Sequence, residues 1–323
     1  MSINFYQKGY FNEITIMKAI AAFFITWFHF KWTVPDQFAN FFIGGAIGNA
    51  IFFFCSGYLL KFKAEKYMGE WFVKKLVRLL PSLWVFMLFS LAVDTYTGQT
   101  AGFQWFNWVY PTPYWFINAI ICFFLVSWII NKINKRKNIL GGWLISSVLI
   151  LHVLWYCFFV DHDRISLDDG EFKCWFYFFA IFLWGYYMKA NEKPGSSKGR
   201  VLMALGFPIM ICAFFAFKKN AERHGALINL QVVAIPVLLA LIVYTSRHLA
   251  LLVFNARLPQ WLKSIMVMMS NLTLDIYIVQ MFFIDRLMPT MPFPLNVLVT
   301  LCVIFIASII NKNIADRIAK AIL

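Results

Sequence analysis

Residues 18–29 read KAIAAFFITWFH, a lysine and a histidine at the two ends of a run whose ten intervening residues are apolar except Thr26. Extended to Ile16–Val34, the stretch is long enough to cross about 30 Å of hydrocarbon as a helix rising 1.5 Å per residue. That reading decides the fold class, because the rest of the chain is built in the same way.

The 323 residues are 61% hydrophobic, 20% aromatic and only 14% charged, with mean hydropathy +0.70. A soluble domain carries about 25% charged residues, so the composition specifies an integral membrane protein. The charge is lopsided, 29 Lys and Arg against 15 Asp and Glu. In a soluble chain that excess would point to nucleic acid. Here the cations fall between apolar spans, where they set topology, and no nucleic-acid partner is expected. The six cysteines (Cys55, Cys122, Cys157, Cys174, Cys212, Cys302) are scattered singly and read as packing residues. His152, His162, His224 and His248 have no ligand spacing, so no metal is expected. The first apolar run is too long for the core of a cleavable signal, and no small-residue cleavage site follows it.

Ten apolar segments predict ten transmembrane helices: Ile16–Val34, Phe41–Leu60, Leu76–Thr95, Tyr114–Ile130, Leu140–Val160, Phe172–Met188, Val201–Phe217, Leu227–Thr245, Ile265–Ile284 and Leu295–Ile310. Lys and Arg crowd the even-numbered connections and the two ends, as in Lys61, Lys63, Lys66, Lys74, Lys75 and Arg78 of the second connection. The opposite side carries Lys31, Arg164, Lys173, Lys218, Lys219, Arg223 and Arg286. The positive-inside rule then places both termini in the cytoplasm, and the acidic fifth connection, DHDRISLDDGEFK, outside. HLALLVF, from His248 to Phe254, is too short to cross and is expected at the cytoplasmic interface. Without a repeat or low-complexity linker, residues 1–323 read as one all-α membrane domain.

Eleven helical steps bring Lys18 and His29 to within about 20° of one face, roughly 16 Å apart along the axis. Ionisable groups inside a membrane mark function by default, since burying them unpaired is costly. The plain alternatives are a Lys18 that snorkels to the interface and a His29 that hydrogen-bonds a backbone carbonyl.

The pair has company. Lys18 and His29 are followed by FFFCSGYLL (Phe52–Leu60), KKLVRLLP (Lys74–Pro81), YWFINAI (Tyr114–Ile120) and, late in the chain, SNLTLDIYIVQ (Ser270–Gln280). In this order they resemble the membrane acyltransferase 3 family over essentially the whole chain. That family has ten membrane helices, an Arg-x10-His first helix, a Phe-Phe-x-x-Ser-Gly-Phe-like second helix and a cytoplasmic Arg-x-x-Arg before the third. The resemblance implies transfer of an acyl group, usually acetyl from acetyl-CoA, to a hydroxyl of a glycan or other acceptor across a bacterial inner membrane. This sequence departs from the pattern in four places. Lys18 stands for the first-helix Arg, Lys75 for the first Arg of the cytoplasmic motif, Gln280 where many members have His, and no Glu follows YWF.

Acetyl-CoA is polyanionic at one end and carries its thioester on a long thin arm, which the roughly 16 Å offset suits. Donor phosphates are therefore expected at Lys18, Lys74, Lys75 and Arg78, the last three sharing a helix face, although positive-inside placement alone also accounts for them. His29 is expected to serve as general base on the acceptor hydroxyl. Ser56, Tyr58 and Asn118 are candidates for the acyl channel or for oxyanion donors; Ser56 and Gly57 read equally as a close-packing site. Asp36 lies beyond Pro35, which ends the helix, and is an acceptor-side candidate. Asp275 is expected to face the interior with a partner on another helix. A different class stays open on these residues, a transporter or glycan flippase, for which intramembrane charge would mark a substrate path.

Overall fold

The computed structural model describes residues 11–60, 68–98, 108, 114–133, 140–160, 162–167, 172–190 and 199–322. Lys61, Lys63 and Lys66 of the second connection, and Asp161 and residues 168–171 of the acidic fifth connection, lie outside the described residues. Every described regular element is helical, as a chain in lipid requires: a helix satisfies its own backbone polar groups where no water is present.

The helices are α1 Glu13–His29, α2 Asp36–Ala39, α3 Gly45–Tyr58, α4 Met68–Thr97, α5 Trp115–Ile133, α6 Leu140–Phe159, α7 Trp175–Ala190, α8 Arg200–Arg223, α9 Gln231–Asn255, α10 Gln260–Leu287 and α11 Leu295–Ile322. Apart from the single turn α2, each coincides with one of the ten apolar segments. Among the described residues, seven helical stretches are long and apolar enough to cross a membrane, those of α1, α4, α6, α8, α9, α10 and α11. Of the other three, α5 covers its expected segment, while α3 and α7 are shorter than expected. Gly44, with φ of 112°, breaks the chain before α3 and leaves 14 residues where the sequence suggested twenty. A 3-10 turn, Phe172–Cys174, likewise delays α7 to Trp175. Two differences lengthen helices instead. HLALLVF is the end of α9, continuous with it, rather than a separate interfacial piece. α4 begins at Met68, so that Lys74, Lys75 and Arg78 stand within a single unbroken helix.

Two compact units divide the chain. The first, Met1–Ala21, Ala46–Phe62 and Val126–Ser270, contains α6 to α9. In it α6 packs on α7, α8 on α9, and α9 touches both α6 and α7. Here α3 and α7 meet backbone to backbone: a Cβ at Gly57 would run into the Phe182 carbonyl, and one at Gly185 into the Phe54 carbonyl. Small residues allow this approach, which between membrane helices replaces the missing hydrophobic drive with close packing. Gln231 is buried at the start of α9. Its Oε1 accepts from Ser166 N at 3.0 Å and Leu167 N at 3.3 Å, and its Nε2 donates to the Arg164 carbonyl at 3.0 Å, so the loop after α6 is held to the bundle.

The second unit, Ala22–Gly45, Lys63–Leu125 and Asn271–Leu323, is built on α4 against α11 with the later part of α10. Phe86, Phe89, Phe282 and Phe283 join α4 to α10 through ring contacts of 5.5–6.4 Å. Beside them Arg286 pairs with Asp94 and stacks on Phe282, 3.6 Å from the centroid. Burial is uneven along the spans. The Gln260–Thr290 and Glu13–Trp32 windows are 61% and 56% buried, the α6 and α8 windows 17% each. The exposed faces of α6 and α8 carry large apolar side chains such as Leu151, Leu202 and Ile209.

Candidate functional site

His29 closes α1, and a 3-10 turn through Trp32 and then Pro35 carry the chain away from the helix axis. Its Nδ1 lies 2.7 Å from the Ile25 carbonyl oxygen, one turn back. Two lone pairs cannot approach so closely, so Nδ1 carries the proton and donates it; Nε2 is then the bare, basic nitrogen. Among the described residues Nε2 makes no hydrogen bond. The Gln280 side-chain amide of α10 lies 3.3 Å from the same Nδ1. Nδ1–H cannot accept a hydrogen bond, so the amide meets it with its carbonyl oxygen. That orientation places Nε2 in the buried position that Oε1 holds in the reverse one. The Asp285 carboxylate, five residues further along α10, is near enough for its charge to act on the ring.

The turn of α10 that carries Gln280 is fixed from the other side by α5. Tyr114 donates its hydroxyl to the Ile278 carbonyl at 3.1 Å, and the Tyr277 ring packs 5.4 Å from Phe116 and 6.1 Å from Tyr114. This explains YWFINAI and SNLTLDIYIVQ as a packed pair. Asn118 is buried one turn on from Tyr114. Asp36 is exposed at the first residue of α2, and no hydrogen bond joins it to His29 among the described residues.

On α4, Lys74 and Arg78 are exposed on one face, while Lys75 is half-buried between rings, 5.5 Å from Trp71 and 5.2 Å from Phe124. Further along, Asp275 is buried and accepts from Asn311 Nδ2 at 2.8 Å; the same amide donates to the Ser82 carbonyl at 3.0 Å. The expected partner on another helix is thus Asn311 of α11. In the first unit, Lys18 is half-buried on α1, Ser56 half-buried on α3, and Tyr58 buried with cations against its ring, Lys189 Nζ at 4.7 Å and Arg247 Cζ at 5.5 Å. Of the cysteines, Cys55 and Cys174 are buried, but Cys157, Cys212 and Cys302 lie on exposed helix faces and do not fill a core. Among the described residues no three of His, Cys, Asp and Glu gather closely enough to hold a metal.

Residues 11–311 match the family model of the acyltransferase 3 proteins, described as an acyltransferase domain. The chain belongs to the acyltransferase 3 family. It is a helical membrane acyltransferase, and the matched region takes in every residue discussed above. No curated protein and no solved structure matches it. In this acyltransferase the contact between His29 and Gln280, 251 residues apart, had no signal in the spacing of either motif. Asp285 and Asn311 were likewise silent: one follows the last motif, the other stands in an apolar run. Their roles exist only once α10 is folded against its neighbours.

Proposed function

We propose that this acyltransferase moves an acetyl group from cytoplasmic acetyl-CoA to a hydroxyl of an extracytoplasmic or lipid-linked glycan, in the inner membrane of a bacterium. Ten helices cross the bilayer in this reading, with both termini cytoplasmic. The alternation of Lys and Arg between the connections supports it. The short α3 fits as well: it is buried along most of its length, so protein rather than lipid surrounds it and it need not match the hydrocarbon thickness.

The observation that carries the mechanism is the Nδ1 hydrogen bond of His29 to Ile25. It holds the imidazole in the tautomer whose Nε2 can take a proton. As the acceptor hydroxyl gives its proton to Nε2, its oxygen attacks the thioester carbonyl. The tetrahedral intermediate collapses by breaking the carbon–sulfur bond, and the imidazolium returns the proton to the departing thiolate. Donor phosphates are held toward the cytoplasm by Lys18, Lys74, Lys75 and Arg78, with Ser56, Tyr58 and Asn118 as acyl-channel or oxyanion groups and Asp36 on the acceptor side.

The test is turnover of labelled acetyl-CoA by purified protein carrying His29→Ala or His29→Gln. General-base catalysis is worth about 10² to 10⁴-fold, so both variants should lose activity on that scale while remaining folded and binding donor. Gln keeps some hydrogen bonding but accepts no proton. A stable, active His29→Gln protein would reduce His29 to a structural residue.

A further inference from the structure

α9 carries a proline, Pro236, inside the helix. Proline has no backbone N–H, so the carbonyl of Val232, four residues earlier, loses its intrahelical donor. His152 of α6 supplies one. Its Nε2 lies 3.2 Å from the Val232 oxygen, which can only accept, so Nε2 carries the proton and Nδ1 is the bare nitrogen. The Tyr177 ring of α7 meets the imidazole edge-on, 5.4 Å between centroids, while its own hydroxyl donates to the Leu167 carbonyl at 2.7 Å. His152 is 1% exposed, and among the described residues its Nδ1 has no hydrogen-bond partner. The carbonyl needs only a donor; the histidine brings a buried acceptor as well, and a buried acceptor is costly to leave unmet.

The side chain that bears it lines a cavity of about 260 Å³ between α6, α7 and α9. His152, Tyr177 and Val232 stand at one end; Ile145, Trp184 and Ala240, seven or eight residues along their helices, stand at the other, which makes a slot roughly 10 Å long. Apart from His152 its side chains are aliphatic or aromatic. Leu149 and Val237 on its flank are exposed on the faces of membrane-spanning helices, so the slot opens to hydrocarbon rather than to water. An apolar cavity of about 150 Å³ already takes up benzene, and this one has room for a longer piece of hydrocarbon. Water is a poor occupant, because a buried water needs two to four polar partners. Of the buried atoms without a partner among the described residues, Nδ1 of His152 is the one on this lining. An alkyl chain fills the slot but leaves Nδ1 bare. A chain that ends in a hydroxyl fills the slot and meets the nitrogen, the pairing of apolar wall and single polar anchor that small-molecule sites use.

We infer that the slot between α6, α7 and α9 is a binding site for a membrane lipid alcohol, an aliphatic chain whose hydroxyl donates to His152 Nδ1. The whole lining belongs to the first unit and contains none of the residues assigned to acyl transfer above, so the site stands or falls apart from that reading.

The experiment uses the full chain in nanodiscs of phosphatidylcholine, a lipid without a hydroxyl. The probe is octanol bearing a diazirine, cross-linked by light and located by mass spectrometry. Octanol and octyl methyl ether serve as competitors, compared at equal concentration within the bilayer; the ether matches the chain but has no donor. Cross-links should fall on the slot, at Ile145, Trp184 or Val237. In the wild-type protein octanol should displace the probe there about two- to tenfold better than the ether, the worth of one hydrogen bond. His152→Phe keeps a ring and removes the acceptor, and should abolish that preference. His152→Gln, whose amide still donates and accepts, should retain part of it. An ether that competes as well as octanol in the wild-type protein overturns the site whether or not any variant folds, and leaves the slot a cleft for lipid tails. Absence of cross-links from the slot overturns it as well, as does a preference for octanol that survives in folded His152→Phe.

Discussion

His29 shows how far a single side chain can be read. Its spacing from Lys18 follows from one helix, so the common face and the roughly 16 Å rise were fixed by periodicity alone. The carbonyl alternative raised for it is realised in the bond to Ile25, yet that bond and a base role are compatible, because it engages one nitrogen and leaves the other basic. Gln280 was visible only as a departure from the usual His, and its contact with the ring gives the departure a meaning: an amide can support Nδ1–H but cannot exchange a proton with it. We expect Gln280→Leu, which keeps volume and removes the amide, to lower turnover about two- to tenfold, the worth of one hydrogen bond of about 0.5–1.5 kcal/mol. Donor affinity should not move. A loss as large as that of His29→Gln, measured in the same assay, would mean that Gln280 takes part in the chemistry rather than in positioning.

At the scale of the helix, two contacts set which faces meet. The α3 and α7 backbones touch at Gly57 and Gly185, where no Cβ fits, so SerGly in the second apolar segment is a packing device at its glycine. Gly57→Ala and Gly185→Ala should each destabilise the protein by about 1–3 kcal/mol, the cost of overpacking a filled interface. Lowered melting temperature in detergent is the readout, and an unchanged one would contradict the contact. The second contact is the Asp275, Asn311 and Ser82 cluster that ties α10 and α11 to α4. Asp275→Leu strips the buried Asn311 amide of an acceptor and should cost about 1–3 kcal/mol. The double variant with Asn311→Leu should recover part of it, because an apolar pair leaves fewer polar groups unsatisfied. Additive losses in a double-mutant cycle would show that the two side chains do not interact.

For the whole molecule, the charge pattern predicts an orientation that can be measured directly. Tags at both termini should be reached only after the cytoplasmic face is opened, and a tag inserted between Asp161 and Glu171 should be labelled on intact cells. An inward acidic loop would reverse the donor and acceptor faces and discard the proposed route. Membership of the acyltransferase 3 family favours acyl transfer over the transporter alternative that the intramembrane charges had left open.

What the sequence determined by itself are properties that add up locally: membrane class from composition, ten helical segments from the length of apolar runs, family from the order of short motifs, and the Lys18 to His29 geometry from one helical repeat. Helix ends were read less well, as at α3 and α9, because a left-handed glycine or a continuing apolar face decides them. Tertiary structure alone decided which polar groups share a neighbourhood: His29 with Gln280, Asp275 with Asn311, and Lys189 with Arg247 on Tyr58. The physical reason is that an amphipathic pattern tells a buried face from a lipid face, but says nothing about which helix covers it. In a chain this apolar, many pairings bury carbon equally well, and the choice among them is made by a few close backbone contacts and buried hydrogen bonds far apart in the sequence.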